Sequence, residues 1–135
     1  MEIPGYEFKH TLGQGGMATV YLAKHVGLER DVAIKVMAPS LASDPKFTER
    51  FLREARIVAQ LSHPGIISVF DVGVEGTHHY ISMEFHSGKD LKHRLRDGLS
   101  VEDSVEILSS VAEALEFAHK KGFIHRDVKP DNILF

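Results

Sequence analysis

Apolar residues fall at alternate positions early in this chain and at every third to fourth position later, and that change of period limits the fold more than any other feature. Tyr6, Phe8, His10 and Leu12 alternate with charged or small neighbours; a glycine cluster follows, and then Val20-Tyr21-Leu22-Ala23. Successive strand side chains point to opposite faces, so this reads as a hairpin joined by a glycine-rich turn. A turn around Gly27 leads to Val32-Ala33-Ile34-Lys35-Val36, a β-branched run suited to a third antiparallel strand. From about Lys46 the period becomes helical, with Phe47, Phe51, Ala55, Val58 and Ala59 on one face and Glu49, Arg50, Arg53 and Arg56 elsewhere. His63-Pro64-Gly65 is expected to end that helix. Two more strands, Ile66 to Val74 and Tyr80 to Phe85, flank the turn Glu75-Gly76-Thr77.

After Ser87-Gly88 the pattern stays helical. A short basic helix is expected near Leu91 to Leu95, then a longer one begun by Ser100 with Asp103 as an approximate capping box and stopped at Gly122. Val101, Val105, Leu108, Ala112 and Leu115, with Val111 and Ala118 half a turn away, give the long helix a broad apolar face that needs a partner layer. Strands first and helices after predict an α+β chain whose boundary lies in the passage from Glu84 to Gly88.

The 135 residues are 43% hydrophobic, enough for one modest core, and a formal charge of -3 provides no positive field for nucleic acid or an anionic membrane. With no cysteine there is no disulfide framework or thiolate metal site, which suits a reducing cytoplasm. No stretch approaches the roughly 18 apolar residues that span a bilayer, and the first residues do not read as a leader. Nine histidines, His78, His79, His86 and His93 among them, lack the spacing of a metal site.

Three motifs carry chemistry. Leu12-Gly13-Gln14-Gly15-Gly16-Met17-Ala18-Thr19-Val20 is a glycine-rich turn between strands; taken alone it is an ordinary turn, though residues without Cβ also let backbone N–H groups approach phosphate oxygens. A dinucleotide fold needs a helix after the glycines, where this chain has a strand, and no Walker-type G-x-x-x-x-G-K-[ST] occurs. Val32-Ala33-Ile34-Lys35 ends a strand on a lysine that, alone, is a solvent lysine; Glu54, alone, is half of a helical pair with Arg50. His125-Arg126-Asp127-Val128-Lys129-Pro130-Asp131-Asn132 gathers an acid, a cation and an amide in eight residues.

In this order the motifs resemble those of a protein kinase: G-x-G-x-x-G-x-V, V-A-I-K and H-R-D-x-x-x-x-N. Gly13, Gly15 and Val20 are in register, with Ala18 where the third glycine is expected and Gly16 beside it. Lys129 two places after Asp127 is the serine/threonine pattern, and the wording of the loops is similar to bacterial eukaryotic-like (Hanks-type) serine/threonine kinases. The resemblance implies a five-stranded antiparallel N-lobe sheet with one αC-type helix over residues 1–85, and over 86–135 a hinge and the first helices of a C-lobe. It implies ATP and Mg2+ as cofactors and protein Ser/Thr hydroxyls as acceptors. It assigns Asp127 as base, Lys129 as a cation near the γ-phosphate, Asn132 as a magnesium ligand, His125 as support, and Arg126 as partner of an activation loop. Lys35 would hold the α- and β-phosphates with Glu54 as its ion-pair partner, and Glu54 is expected to face the sheet. Leu12, Gly13, Gln14, Gly15 and Gly16 would form the phosphate turn. Val20 and Ala33 would cover one face of adenine and Leu134 the other, with Met83 at the rear and backbone from Glu84 to His86 hydrogen-bonding the base. Asp90 would reach the ribose, although an Asp at a helix start is as often a cap.

D-F-G, the activation loop and A-P-E do not occur in the sequence. The reading therefore expects an incomplete kinase piece, inactive alone, cytoplasmic, and able to self-associate through the helix at 101–118, since each Val- or Leu-sized side chain left in water sacrifices about 1.5 to 3 kcal/mol. Two rivals stand beside it. One is a nucleotide-binding or regulatory module without turnover; the other is a small-molecule kinase of related fold, against which Arg126 and Lys129 speak.

Overall fold

The computed structural model describes residues 1–125 and 128–135. The elements run β1 (Tyr6–Gln14), β2 (Ala18–His25), β3 (Arg30–Met37), α1 (Pro39–Ala42), α2 (Pro45–Ala59), β4 (Val69–Glu75), β5 (His78–Glu84), α3 (Leu91–Arg96), α4 (Val101–Lys120) and a 3-10 turn at Pro130–Asn132. They form two compact units, one of Met1–Gln60 with Ile67–Phe85 and one of Leu61–Ile66 with His86–Phe135.

The first unit is a five-stranded antiparallel sheet in the order β1-β2-β3-β5-β4. The α+β class and the strand count are those expected. β2 and β3 pair without a break from Ala18 and Met37 to His25 and Arg30, whereas β1 shifts register twice along β2. One sheet face buries Ala23, Val32, Ile34 and Val36 with Ile3 beneath Tyr6, Phe8, Tyr21 and Tyr80. α2 starts on Asp44, whose carboxylate accepts from the Lys46 N–H at 2.9 Å, with Pro45 in the first turn; it packs on β4 and β5 through an arc centred on buried Ala55.

One element and several boundaries differ from expectation. α1 was too short for periodicity to reveal. α2 ends at Ala59, ahead of His63, because the Gln60 N–H closes onto the carbonyls of Ile57 and Val58 and tightens the last turn. β4 begins at Val69, not Ile66, because the Ile66 N–H turns back to the His63 carbonyl at 3.0 Å.

In the second unit, Ser100 caps α4 by accepting from the Asp103 N–H at 3.0 Å, and Gly122 stops it at φ +88°. Part of the anticipated apolar face of α4 is covered and part is left open. Ala114 and Ala118 are buried and Val111 and Leu115 half-buried, with Phe117 against His63 (ring centroids 5.1 Å apart), while Val101, Val105 and Leu108 are 75%, 59% and 68% exposed. The apolar face is broad, and short-range period alone does not say which part of it is covered. Among the described residues, no helix is long and apolar enough to cross a membrane.

Candidate functional site

Register builds the part of the site that lies in the first unit. Directly paired residues of antiparallel strands share a face. Val20 pairs with Lys35 and Leu22 with Ala33; on the other side of β3, Lys35 pairs with Ile81 and Ala33 with Met83. Val20, Leu22, Ala33, Lys35, Ile81 and Met83 therefore lie together on the face opposite Ile34 and Val36. Leu22, Ala33 and Ile81 are buried, Val20 and Met83 are half-buried, and Lys35 is exposed. The result is an apolar floor with one cation at its edge.

The glycine turn occupies the end of the same sheet. The Gly15 N–H donates to the Ala18 carbonyl at 2.9 Å, closing the turn, and the Met17 carbonyl accepts from the Ala38 N–H at 2.8 Å, tying it to the end of β3. Leu12, Gly13, Gln14 and Gly16 are exposed, and a Cβ at Gly13 or Gly16 would meet nothing within 4 Å. Packing does not demand glycine there, so what its absence of side chain provides is unobstructed backbone N–H.

Glu54 is not where the sequence reading put it. Its side chain is 52% exposed and Oε1 lies 3.6 Å from Arg50 Nε, one helical turn back; the structure does not bring it into an ion pair with Lys35. Phe51, Ala55 and Val58 take the arc toward the sheet, which leaves Glu54 beside Arg50. At the end of β5 a clasp appears that sequence reasoning missed: the Glu84 N–H donates to the Ser68 carbonyl at 2.9 Å, and the Ser68 N–H donates to Glu84 Oε1 at 3.1 Å. Nothing in the sequence around Ser68 signals it.

The remaining candidates belong to the second unit. Asp127 and Arg126 lie outside the described residues. Lys129 precedes the 3-10 turn and is exposed; Asn132 ends that turn, its N–H donating to the Lys129 carbonyl at 3.0 Å. His125 sits 6.5 Å, ring to ring, from Phe123. His86 is half-buried, and Leu134 forms an antiparallel bridge with Asp90. Asp90 is the cap of α3: Oδ1 accepts from the His93 N–H at 2.9 Å and lies 2.6 Å from His93 Nδ1. Those hydrogen bonds from the His93 side chain and backbone hold the Asp90 carboxyl below the ordinary carboxylate value.

The residues present fit a magnesium nucleotide. Magnesium prefers oxygen donors, keeps several waters, and is usually held by one or two carboxylates together with substrate phosphates. Asn132 offers an amide oxygen, and among the described residues no three His, Cys, Asp or Glu side chains gather to hold a metal by themselves.

Comparison with known proteins bears on the family and the fold. Residues 6–135 match the family model described as protein kinase domain. The chain is 44% identical over 135 residues to serine/threonine-protein kinase PknB of Mycobacterium leprae, covering 96% of this chain and 22% of that protein. Against serine/threonine-protein kinase PrkC of Bacillus subtilis it is 40% identical over 131 residues, covering 96% and 20%. The solved kinase domain of Mycobacterium tuberculosis PknI superposes with a TM-score of 0.86 at 36% identity, over 99% of this chain and 56% of that one. The chain thus spans about a fifth of the curated relatives and little more than half of the solved domain.

Proposed function

The chain belongs to the protein kinase domain family, with serine/threonine kinases as its relatives, and from that premise we propose that it carries the nucleotide-handling part of an ATP- and magnesium-dependent protein serine/threonine kinase. Residues 1–85 act as the lobe that covers the nucleotide, and 86–135 as the hinge and the start of the catalytic lobe. Val20 and Ala33 cover the adenine, Met83 lies behind it, Leu134 meets its other face, and the backbone of Glu84 to His86 hydrogen-bonds its edge. The backbone N–H groups from Leu12 to Gly16 approach the phosphates, and Lys35 supplies the cation for them. Asp127 accepts the proton of the acceptor hydroxyl, Lys129 balances charge on the transferred group, and Asn132 holds magnesium, which when bound neutralises charge on the β- and γ-phosphate oxygens. Asp90, already engaged as a cap, meets the ribose only by sharing its second oxygen. Glu54 reaches Lys35 only by leaving Arg50.

The observation that carries this reading is the pairing of Val20 with Lys35 and of Ala33 with Met83, which sets a cation and an apolar floor on one sheet face. Acceptors are Ser or Thr hydroxyls of proteins, and the need for ATP assigns this part of the protein to the cytoplasm. By itself the chain binds nucleotide without transferring phosphate, since no D-F-G carboxylate occurs in its sequence. Titration calorimetry with ATP and Mg2+, alongside labelled-phosphate transfer on the same sample, tests both halves. Saturable binding without transfer is expected; no binding refutes the nucleotide reading, and robust transfer refutes the claim of incompleteness. The exposed apolar stripe of α4 further leads to self-association.

A further inference from the structure

One short helix holds the segment around Asn132. The Leu91 N–H donates to the Ile133 carbonyl at 2.8 Å, Lys92 Nζ lies 3.7 Å from Asp131 Oδ2, and the Arg94 guanidinium sits over the Phe135 ring, 4.1 Å from its centroid. The residues immediately before and after Asn132 are thus each tied to α3, by Lys92 and Leu91. A backbone tied on both flanks fixes the position of the Asn132 Cα. The anchor is itself held at its N-terminus, because Asp90 caps α3 through His93 and its backbone bridges to Leu134. A Cβ on Gly88 would overlap the Phe135 carbonyl oxygen, so the chain entering α3 also lies close against this segment.

We infer that α3 is the positioning element for the metal ligand, with Lys92 and Arg94 as positioning residues that hold the Asn132 amide oxygen where a nucleotide-bound divalent ion meets it. This rests on the proposed role of Asn132. Both members of the Lys92–Asp131 pair are half in water and such pairs are individually weak, so their loss moves the ligand more than it destabilises the fold. Partners that orient a metal ligand change metal affinity when removed, at the low end by about tenfold.

The test uses Mn2+ with AMP-PNP, reading water-proton relaxation for metal affinity and hydrogen exchange for the Leu91 amide. The double variant Lys92→Ala, Arg94→Ala is expected to weaken Mn2+ about 10-fold and to speed exchange at Leu91. Asn132→Ala is expected to weaken Mn2+ at least as much with Leu91 exchange unchanged, and Lys92→Arg to stay within about twofold of the wild-type chain. If Asn132→Ala weakens Mn2+ but the double variant does not, the positioning role of α3 is refuted while the metal role survives. If Asn132→Ala binds Mn2+ like the wild-type chain, the metal role falls and takes the inference with it. Should the double variant not fold, Lys92→Ala alone, at an exposed site, decides between the same outcomes.

Discussion

Among single residues, one exposed lysine on the apolar sheet face gives the sharpest test of the proposed nucleotide site. Lys35 stood out only through the resemblance, since a strand lysine alone is a solvent lysine, and the register pairs it with Val20. Replacing it with Ala should raise the Kd for ATP at least tenfold, since charge-assisted hydrogen bonds contribute about 1.5–3 kcal/mol, with thermal stability unchanged at this exposed site. Calorimetry and a melting curve on the same sample would check it. Glu54 was misjudged because helical period locates a residue only to within an arc, and Arg50 lay on the nearer side of that arc. Glu54→Gln should cost no more than about 0.5 kcal/mol in a denaturant titration, as an exposed helical pair does. Asp90 gives a pH signature. Its folded carboxyl titrates below the ordinary value of 3.8, so its contribution is complete above about pH 4 and is lost as the pH falls through the lowered value. A carboxyl NMR titration should place its midpoint below 3.8, and a midpoint above that would contradict the His93 cap.

At the scale of elements, termini written in local chemistry were legible and those set by backbone closure were not. Ser100 and Gly122 bound α4 as their residue types require. Ser100→Ala should cost about 1 kcal/mol, and Gly122→Ala a similar amount because alanine disfavours φ +88°. Each should lower the melting temperature by roughly 4 °C in calorimetry. The end of α2 and the start of β4 depend instead on Gln60 and Ile66 hydrogen bonds to carbonyls three residues back, which no side chain signals. The broad apolar face of α4 was visible, yet which part of it packs depends on Gly65 and His63 coming from a distant part of the sequence. Gly65 leaves room for the helix: a Cβ there would come within 3.1 Å of the Ala114 Cβ.

For the whole molecule, the stripe of Val101, Val105 and Leu108 sets solution behaviour. Sedimentation velocity should show concentration-dependent association of the chain, and Val105→Lys with Leu108→Lys should leave a monomer of unchanged melting temperature, because neither side chain is buried. A monomer at all concentrations in the unaltered chain would refute self-association. The polypeptide also passes between its two units at Gln60, at Ile66 and again at Phe85. Neither unit is therefore one uninterrupted stretch of gene. An excision stopping at Phe85 would carry off the six residues from Leu61 to Ile66 without the α4 they belong beside, so an experimenter seeking the sheet alone would have to re-route the backbone, joining Gln60 to Ile67 with a synthetic bridge.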